Sequence, residues 1–347
     1  MVKIRIDGRS IEVPGSSTIL EAARQNDIYI PTLCHHPKLT PFGGCRLCIV
    51  EIKGMPKPVA SCTTQVAEGM EIATSTDAIE DIRKLVLELI LSDHPNDCMV
   101  CEKTGSCTLQ DLAYAYGIRE NEFSGERRTY ATRDGNPFIE RDLEKCILCG
   151  RCVKACDEIQ GVEAIDFGYR GFKSKICTTY EEDLDCEFCG QCVAVCPTGA
   201  LTGKSWKLQG RPGGSLREVD TICPYCGTGC NITVHVKRNE IVRITSAEDT
   251  ANEGWLCVKG RFGYKFASSP DRLTSPLIRR DGAFVEAGWD EALDYIVSQL
   301  GGIKSRHGSD AIAGLSSARC TNEENYVFQK FMRAGVGTNN VDHCARL

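Results

Sequence analysis

The chain contains 22 cysteines among 347 residues, and nineteen of them fall into local groups. Cysteines with two residues between them converge on a metal more readily than they pair as disulfides across a fold. Disulfide frameworks are typical of short secreted domains, and the opening residues, MVKIRIDGRS, are too polar for a signal peptide. The spacing therefore predicts a metal-binding chain, in which Cys177 belongs to no ligand set and is interpreted as a buried or idle thiol.

The first group has ten, two and thirteen residues between its four members: Cys34, Cys45, Cys48 and Cys62. Four thiolates suit a [2Fe–2S] cluster, which takes two ligands per iron. The spacing differs from the plant-type pattern, so we expect a relative of that type. A zinc site with four cysteine ligands is the alternative. His35 and His36 adjoin this group, but four thiols are already present, so we interpret both as residues around the ligand set or in solvent.

The second group has only three cysteines: Cys98, Cys101 and Cys107. A helix is predicted just before it, because Asp77 is a candidate cap and apolar residues recur at helical spacing through Ile90. His94 lies at the expected end of that helix, and three residues separate it from Cys98. A histidine at the C-terminus of a helix usually interacts with the helix dipole or simply lies on the surface. Because the group lacks a fourth ligand, we favour His94 as the fourth ligand of a [4Fe–4S] cluster.

Residues 138–203 contain an internal repeat, CILCGRCVKAC and CEFCGQCVAVCP, with the spacing of bacterial two-cluster ferredoxins. In that motif the fourth cysteine of each run ligates the other cluster, because one loop supplies three ligands and the last comes from across the pseudo-twofold axis. The expected [4Fe–4S] ligand sets are Cys146, Cys149, Cys152 and Cys196 for one cluster, and Cys156, Cys186, Cys189 and Cys192 for the other.

The last group follows residues 204–218, which are rich in glycine and basic residues and predict a linker. Its members are Cys223, Cys226, Cys230 and Cys257. This spacing suits either zinc or a single [4Fe–4S] cluster, and the preceding ferredoxin motifs favour the cluster. Residues 231–236 and 240–245 between these cysteines predict a hairpin.

Further elements must position these groups. Asp7-Gly8 predicts the turn of an N-terminal hairpin, and Thr18 with Glu21 predicts a capping box that opens a short helix. Near the C-terminus we expect a helix capped by Asp290, a strand at 311–315 and a helix opened by Thr321 and Glu324. Helix, strand and helix in this order are typical of the beginning of an α/β domain.

Composition excludes several classes of protein. The formal net charge is −6, with 41 basic and 47 acidic residues, and there is no basic block, so we expect no nucleic-acid partner. The sequence has no apolar run of about 18 residues, so we expect no membrane span and a cytoplasmic location. With 42% hydrophobic and 25% charged residues the chain is expected to be globular.

The order of the motifs in the first 200 or so residues resembles the electron-input region shared by the large iron–sulfur subunit of complex I and by [FeFe] hydrogenases. From Cys223 onward the sequence resembles the start of the molybdopterin oxidoreductases, and residues 338–347 resemble a stretch of molybdenum- or tungsten-dependent formate dehydrogenases. The resemblance implies a multidomain α+β fold: a β-grasp [2Fe–2S] ferredoxin domain (1–78), a small helical domain with one histidine and three cysteine ligands (79–120), a two-cluster ferredoxin domain (138–203), a linker (204–218), a molybdopterin oxidoreductase [4Fe–4S] domain (219–274) and the start of an α/β molybdopterin-binding domain (275–347).

The resemblance also implies an activity. Formate would be oxidised, or carbon dioxide reduced, at molybdenum or tungsten held by two pterin guanine dinucleotides. One [2Fe–2S] and four [4Fe–4S] clusters would pass electrons from the Cys223 cluster through the paired clusters and the His94 cluster to the [2Fe–2S] centre. The expected acceptors are flavin- or iron–sulfur-containing subunits linked to NAD(P)H or ferredoxin, or a hydrogenase module. Lys259 is expected to assist electron passage between the pterin and the Cys223 cluster, and Arg319 to contact a cofactor phosphate.

The same resemblance places the catalytic metal ligand, a cysteine or selenocysteine, directly after Leu347. His343, Cys344 and Arg346 would adjoin it, with Cys344 as a packing residue. We hypothesise an in-frame UGA selenocysteine codon there; a truncated sequence is the alternative. The rival functions are a non-catalytic complex I-type electron-transfer subunit, an [FeFe] hydrogenase and, more distantly, a zinc-binding interaction protein.

Overall fold

The computed structural model describes residues 1–120, 122–123, 125–130, 135–210 and 216–344. The chain divides into two units, Met1–Arg217 and Glu218–Leu347. Both strands and helices occur in each unit, so the fold is mixed α+β, as predicted.

The elements of the first unit are β1 (Val2–Ile6), β2 (Arg9–Val13), α1 (Ile19–Arg24), β3 (Ile49–Ile52), β4 (Val59–Ala60), β5 (Glu71–Ala73), α2 (Asp77–Asp93), α3 (Thr108–Ala115), β6 (Ile139–Arg141), α4 (Arg151–Lys154), β7 (Asp166–Gly168), β8 (Lys175–Cys177), α5 (Gln191–Val195) and β9 (Leu201–Gly203). Those of the second are β10 (Arg217–Ile222), β11 (Asn231–Lys237), β12 (Glu240–Thr245), α6 (Val258–Phe262), β13 (Leu277–Arg280), β14 (Ala283–Glu286), α7 (Trp289–His307), β15 (Gly314–Ser317), α8 (Asn322–Lys330) and β16 (Val341–Cys344).

The first five strands form one sheet in the order β2-β1-β5-β3-β4, with β1 antiparallel to β2 and parallel to β5. The predicted hairpin is confirmed: Asp7 and Gly8 both have positive φ, which a tight two-residue turn requires. The predicted capping box is also confirmed, because Thr18 and Glu21 bond reciprocally at the start of α1. Helix α1 buries Ile19 and Leu20 against the sheet, and this fixes the loops that follow the helix.

Helix α2 begins with Thr76, not Asp77, as its cap, because the Thr76 hydroxyl accepts the amide of Ile79 and Asp77 is the first helical residue. The prediction of an Asp77 cap is therefore wrong by one residue. The helix ends at Asp93, with His94 as its C-cap. A second core cluster joins α2 to α3 and to the loops before β3; its fully buried members include Leu33, Leu47, Leu87 and Leu109.

The internal repeat of the sequence is also present in the backbone of the ferredoxin region. Leu148 and Phe188 occupy equivalent places in the two motifs, and both have positive φ, 53° and 49°. Gly150 and Gly190 cap α4 and α5 with φ of 74° and 73°. Positive φ is rare for a bulky residue such as leucine or phenylalanine. Its recurrence shows that both loops adopt the same conformation, which turns the cysteine side chains inward.

In the second unit β10, β11 and β12 form a sheet, and the hairpin predicted for residues 231–245 is confirmed. Strands β15 and β16 are parallel and connected through α8, the start of an α/β unit. The capping box of Thr321 and Glu324 is confirmed. Helix α7 is capped at Gly288, contrary to the prediction of Asp290, and it continues through Gly301 to His307.

No helix within the described residues has the length and apolar character that crossing a membrane requires.

Candidate metal centres

The first cysteine group lies at the edge of the N-terminal sheet as two contacting pairs. The amide of Cys45 donates to the Cys34 sulfur over 3.4 Å, and the sulfur atoms of Cys48 and Cys62 are 3.3 Å apart. Cys34, Cys48 and Cys62 are buried. Two pairs of sulfur atoms correspond to the two ligands that each iron of a [2Fe–2S] cluster requires.

The charge state of these thiols also fits a cluster. A hydrogen bond from Cys34 lowers the pKa of Cys45 to about 6, and one from Cys62 lowers the pKa of Cys48 to about 6. The same hydrogen bonds raise the pKa of Cys34 and of Cys62. One sulfur of each pair therefore loses its proton readily, and thiolate is the form that binds metal.

His35 and His36 are both buried, which favours, of the two interpretations, residues around the ligand set over residues in solvent. The His35 Nδ1 atom lies 3.1 Å from an Arg24 nitrogen. Burial first, and then the charge of Arg24, lowers the pKa of His35 to about 4. The His36 Nδ1 atom accepts the amide of Lys38 over 3.3 Å. Each ring thus has a nitrogen held by the local structure.

His94 has the environment of a metal ligand. Its Nδ1 atom lies 2.9 Å from the carbonyl oxygen of Pro95, while its Nε2 atom is buried and has no hydrogen-bond partner within the described residues. A buried polar atom without a partner is costly, and ligating histidines commonly donate the other ring nitrogen to a carbonyl. Burial lowers the pKa of His94 and so favours the neutral imidazole, the form that binds metal. The site therefore fits an iron ligated through Nε2.

The three cysteines that accompany His94 lie in the loop between α2 and α3. Cys107 is the N-cap of α3, where helix amides favour a thiolate. Burial, and then the nearby Cys101 among smaller causes, raises the pKa of both Cys98 and Cys107. Cys101 therefore lies within electrostatic range of both Cys98 and Cys107. Within the described ranges no three histidine, cysteine or carboxylate side chains converge on the position of a single ion.

Two cavities in the ferredoxin region are each lined by one predicted ligand set. The first cavity is lined by Cys146, Cys149, Cys152 and Cys196 together with apolar residues. The second is lined by Cys156, Cys186, Cys189 and Cys192. The last cysteine of each run thus faces the three leading cysteines of the other run, as the two-cluster motif requires.

These two cavities would penalise bare thiolates. Burial raises the pKa of Cys146 to about 11 and of Cys149 to about 12, and it also raises the pKa of Cys152 and of Cys192. A cationic iron centre supplies the charge that four thiolates in an apolar cavity need. The donor set and the apolar lining therefore fit a [4Fe–4S] cluster in each cavity.

The His94 group and the Cys146 group contact each other directly. The amide of Thr108, next to Cys107, donates to the carbonyl of Pro197, next to Cys196, over 3.0 Å. A Cβ atom at Gly199 would lie 2.5 Å from the Cys101 sulfur. The loops of the two groups therefore approach as closely as a glycine allows.

We predict that Gly199→Ala displaces these loops and reduces the iron bound at the adjoining centres. Overpacking of this kind costs about 1–3 kcal/mol, because the added methyl group would overlap the Cys101 sulfur. Iron and acid-labile sulfide per chain, together with EPR spectra of the reduced protein, measure the effect. Gly301→Ala is the control, since its Cβ would meet no atom within 4 Å; that change should retain all iron and stabilise α7 by up to about 1 kcal/mol. Unchanged iron in Gly199→Ala would contradict the prediction.

The first cysteine group also contacts the ferredoxin region. The rings of Phe42 and Phe167 stack with centroids 5.4 Å apart, and both lie against Gly150, between Cys149 and Cys152. A cavity beside this stack is lined by Cys45, His94 and Cys146, one residue from each of three predicted sites. The Cys146 site therefore adjoins both the His94 site and the Cys45 site.

The last predicted cysteine group lies around the start of α6 in the second unit. The amide of Cys223 donates to the carbonyl of Cys230 over 2.8 Å, and Cys257 is the exposed N-cap of α6. A Cβ at Gly260 would lie 3.7 Å from the Cys223 sulfur. A hydrogen bond with Thr228 lowers the pKa of Cys226, and the charge of Lys259 adds a smaller effect. Lys259 thus lies on α6 within electrostatic range of Cys226.

Two further candidates lie at the carboxyl ends of β15 and β16, where ligands of parallel sheets commonly bind. Arg319 is exposed just after β15. Cys344 is also exposed, and its sulfur lies 3.2 Å from the Ser317 hydroxyl. The described residues therefore do not bury Cys344, as a packing role would require. His343 is exposed beside it. Arg346 and Leu347 lie outside the described residues.

Two residues that sequence reasoning did not single out support these sites. Lys145 forms ion pairs with Asp97 and Asp142, both at 2.8 Å. Asn322, the first residue of α8, donates to the carbonyl of Gly227 over 2.9 Å and so anchors the Cys226 loop. Both act across distant parts of the chain, and no local pattern in the sequence marks them.

Comparison with known protein families agrees with this arrangement. Five family profiles match consecutive parts of the chain: a 2Fe-2S iron-sulfur cluster binding domain (1–77), the NADH-ubiquinone oxidoreductase-G iron-sulfur binding region (83–122), the NADH-quinone oxidoreductase subunit 3 ferredoxin-like domain (136–202), the molybdopterin oxidoreductase Fe4S4 domain (216–269) and the molybdopterin oxidoreductase family (272–347). The chain belongs to the molybdopterin oxidoreductases with an NADH-G-type iron–sulfur region. The matched domains make it an iron–sulfur electron-relay chain.

Two of the relatives that this chain matches over its full length are named as subunits of oxidoreductases. The alpha subunit of NADPH-Fe(3+) oxidoreductase from Geobacter sulfurreducens is 43% identical over 100% of this chain and 40% of its own length. The G 2 subunit of NADH-quinone oxidoreductase from Rhizobium meliloti is 42% identical over 100% of this chain and 40% of its own length. A Staphylococcus aureus protein, provisionally named a formate dehydrogenase, is 32% identical over 99% of this chain and 39% of its own length. The chain thus spans about 40% of the length of these relatives.

Among solved structures, a chain of an NAD+-reducing [NiFe]-hydrogenase in the H2-reduced state is similar to this one. It is 34% identical with a TM-score of 0.57, and the alignment covers 61% of this chain and 91% of that chain. The similarity extends the relationship to hydrogenase complexes.

Proposed function

We propose that this chain relays electrons through one [2Fe–2S] and four [4Fe–4S] clusters, and that the complete protein oxidises formate or reduces carbon dioxide at a molybdenum or tungsten centre. The observation that carries the relay is that two separate cavities are lined by the two crossed cysteine sets of the repeat. Iron–sulfur clusters carry one electron at a time, whereas a pterin-bound metal handles two, so an oxidoreductase that joins them needs several clusters.

The proposed ligands are the five sets predicted from the sequence: Cys34, Cys45, Cys48 and Cys62 for [2Fe–2S]; His94, Cys98, Cys101 and Cys107; Cys146, Cys149, Cys152 and Cys196; Cys156, Cys186, Cys189 and Cys192; and Cys223, Cys226, Cys230 and Cys257 for [4Fe–4S]. The shared cavity of Cys45, His94 and Cys146 supports a central place for the Cys146 cluster, in contact with two others. We therefore propose a branched relay in the first unit instead of a strictly linear one.

The residues near the proposed pterin side have supporting roles. We propose that Lys259 assists electron passage between the pterin and the Cys223 cluster, since its charge reaches Cys226. We also propose that Arg319, at the carboxyl end of β15, binds a phosphate of the pterin nucleotide, for which an exposed guanidinium is suited. The partners would be NAD(P)H- or ferredoxin-linked subunits, or a hydrogenase module, as the subunit nature of the relatives suggests.

Formate as substrate is supported by the resemblance of residues 338–347 to formate dehydrogenases and by the Staphylococcus aureus relative. The second candidate function is a complex I-type electron-transfer subunit without a pterin. The identity of 42% with the Rhizobium meliloti NADH-quinone oxidoreductase relative favours that candidate.

One experiment separates the two candidates. The complete protein is purified anaerobically with its partner subunits, analysed for molybdenum, tungsten and pterin, and mixed with formate while the clusters are followed by EPR. We expect stoichiometric molybdenum or tungsten and formate-dependent cluster reduction. Clusters that NADH reduces but formate does not, in a protein without either metal, would instead support the complex I-type function.

A further inference from the structure

Lys145 lies between two of the proposed ligand sets. Its side chain is only 12% exposed, and its ammonium pairs with Asp97 and with Asp142, each at 2.8 Å. Lys145 directly precedes Cys146, and Asp97 directly precedes Cys98. The three charges therefore connect the loop of the His94 group to the loop of the Cys146 group.

The backbone and stem of Lys145 contact the same region. Its carbonyl accepts the hydroxyl of Thr198 over 2.8 Å, and Thr198 lies two residues after Cys196. The stem lies over Gly199: a Cβ there would be 3.3 Å from Lys145 Cδ and 2.5 Å from the Cys101 sulfur. One lysine thus contacts residues that adjoin both ligand sets.

We infer that the charge of Lys145 raises the reduction potentials of both the His94 cluster and the Cys146 cluster. The inference rests on the proposed cluster ligands and extends their function to the control of potential. Adding an electron makes a cluster more negative, so a nearby cation stabilises the reduced state. Because Lys145 is largely shielded from water, salt screens its charge little. The carboxylates of Asp97 and Asp142 hold the ammonium in place and offset part of its effect.

The test is an EPR-monitored redox titration of the complete complex carrying Lys145→Met. We expect the midpoint potentials of these two clusters to shift to more negative values, because two carboxylates then remain without their cation. Lys145→Arg should retain potentials close to those of the parent protein. Lys53→Met is the matched control: Lys53 pairs with Glu71 at 2.8 Å but is 74% exposed and lies in the N-terminal sheet domain, so both potentials should stay unchanged.

A second variant separates charge from structure. Asp142→Asn removes one carboxylate and keeps the lysine, so it should shift both potentials to more positive values. Adding Asp142→Asn to Lys145→Met should move the potentials back toward the parent values, whereas a purely structural role predicts no return. Unchanged potentials in Asp142→Asn with full iron content would overturn the inference. Absence of [4Fe–4S] signals from the parent protein would instead overturn the proposed function itself.

Discussion

Replacing His94 with alanine is expected to remove one [4Fe–4S] cluster, about four iron atoms per chain. The imidazole Nε2 atom is buried without a hydrogen-bond partner within the described residues, and the proposed set has only three thiols besides it. Alanine would leave one iron corner without a protein ligand. Total iron, acid-labile sulfide and the EPR spectrum of the reduced protein measure the loss, and electron transfer beyond this cluster should fall in parallel.

Two further variants control for structural damage at His94. His94→Cys should keep the cluster but lower its potential, because a thiolate adds negative charge where imidazole is neutral. His235→Gln replaces another buried histidine, whose ring nitrogens face Thr245 and Glu218; this variant should retain all iron. Full iron content in His94→Ala would contradict the ligand assignment.

Arg83→Met is expected to destabilise the first unit by about 3–5 kcal/mol. Arg83 is 2% exposed, and its guanidinium donates to three carbonyls, those of Leu47, Ile49 and Thr74, at 2.8 to 3.0 Å. It also pairs with Glu80 at 2.9 Å. Methionine fills similar space but leaves these three buried oxygens without a donor. Leu47 and Ile49 flank Cys48, so the proposed [2Fe–2S] site should weaken as well.

The measurement is the urea midpoint of the transition that bleaches the [2Fe–2S] absorbance. Lys84→Met is the matched control, because Lys84 is the next residue of α2, is 52% exposed and lies 3.9 Å from Glu88. We expect that control to change stability by no more than about 0.5 kcal/mol. Equal midpoints for the two variants would show that the guanidinium does not hold the helix against the sheet.

Local signals predicted local structure well. The capping boxes at Thr18 and Thr321 form as expected, because their partners are three residues away and the bonds close within one turn. The prediction at Asp77 missed by one residue because a neighbouring threonine provides an equally good cap. Helix caps depend on a few adjacent residues, so errors of this size are the expected limit of sequence reasoning.

On α7, helical periodicity and burial do not coincide within the described residues. Leu293, Ile296 and Val297 form an apolar stripe on α7, yet all three are exposed by 47% or more. Periodicity marks a face that can be buried, but contact requires another element opposite it. Leu300 does pack against the small core of Ile312, Met332 and Val336, because the residues just before β15 and just after α8 lie at that end of the helix.

The sequence by itself determined the grouping of the cysteines, since ligand spacing within a loop is a local property that a metal cluster constrains directly. It also indicated His94, through the absence of a fourth thiol. Only the tertiary structure decided which groups adjoin one another: it brought Cys45, His94 and Cys146 to one cavity, placed Lys145 between Asp97 and Asp142 and buried Arg83 beneath the Cys48 loop. These contacts join residues that are far apart along the chain, and their geometry depends on how whole elements pack, which no local pattern encodes.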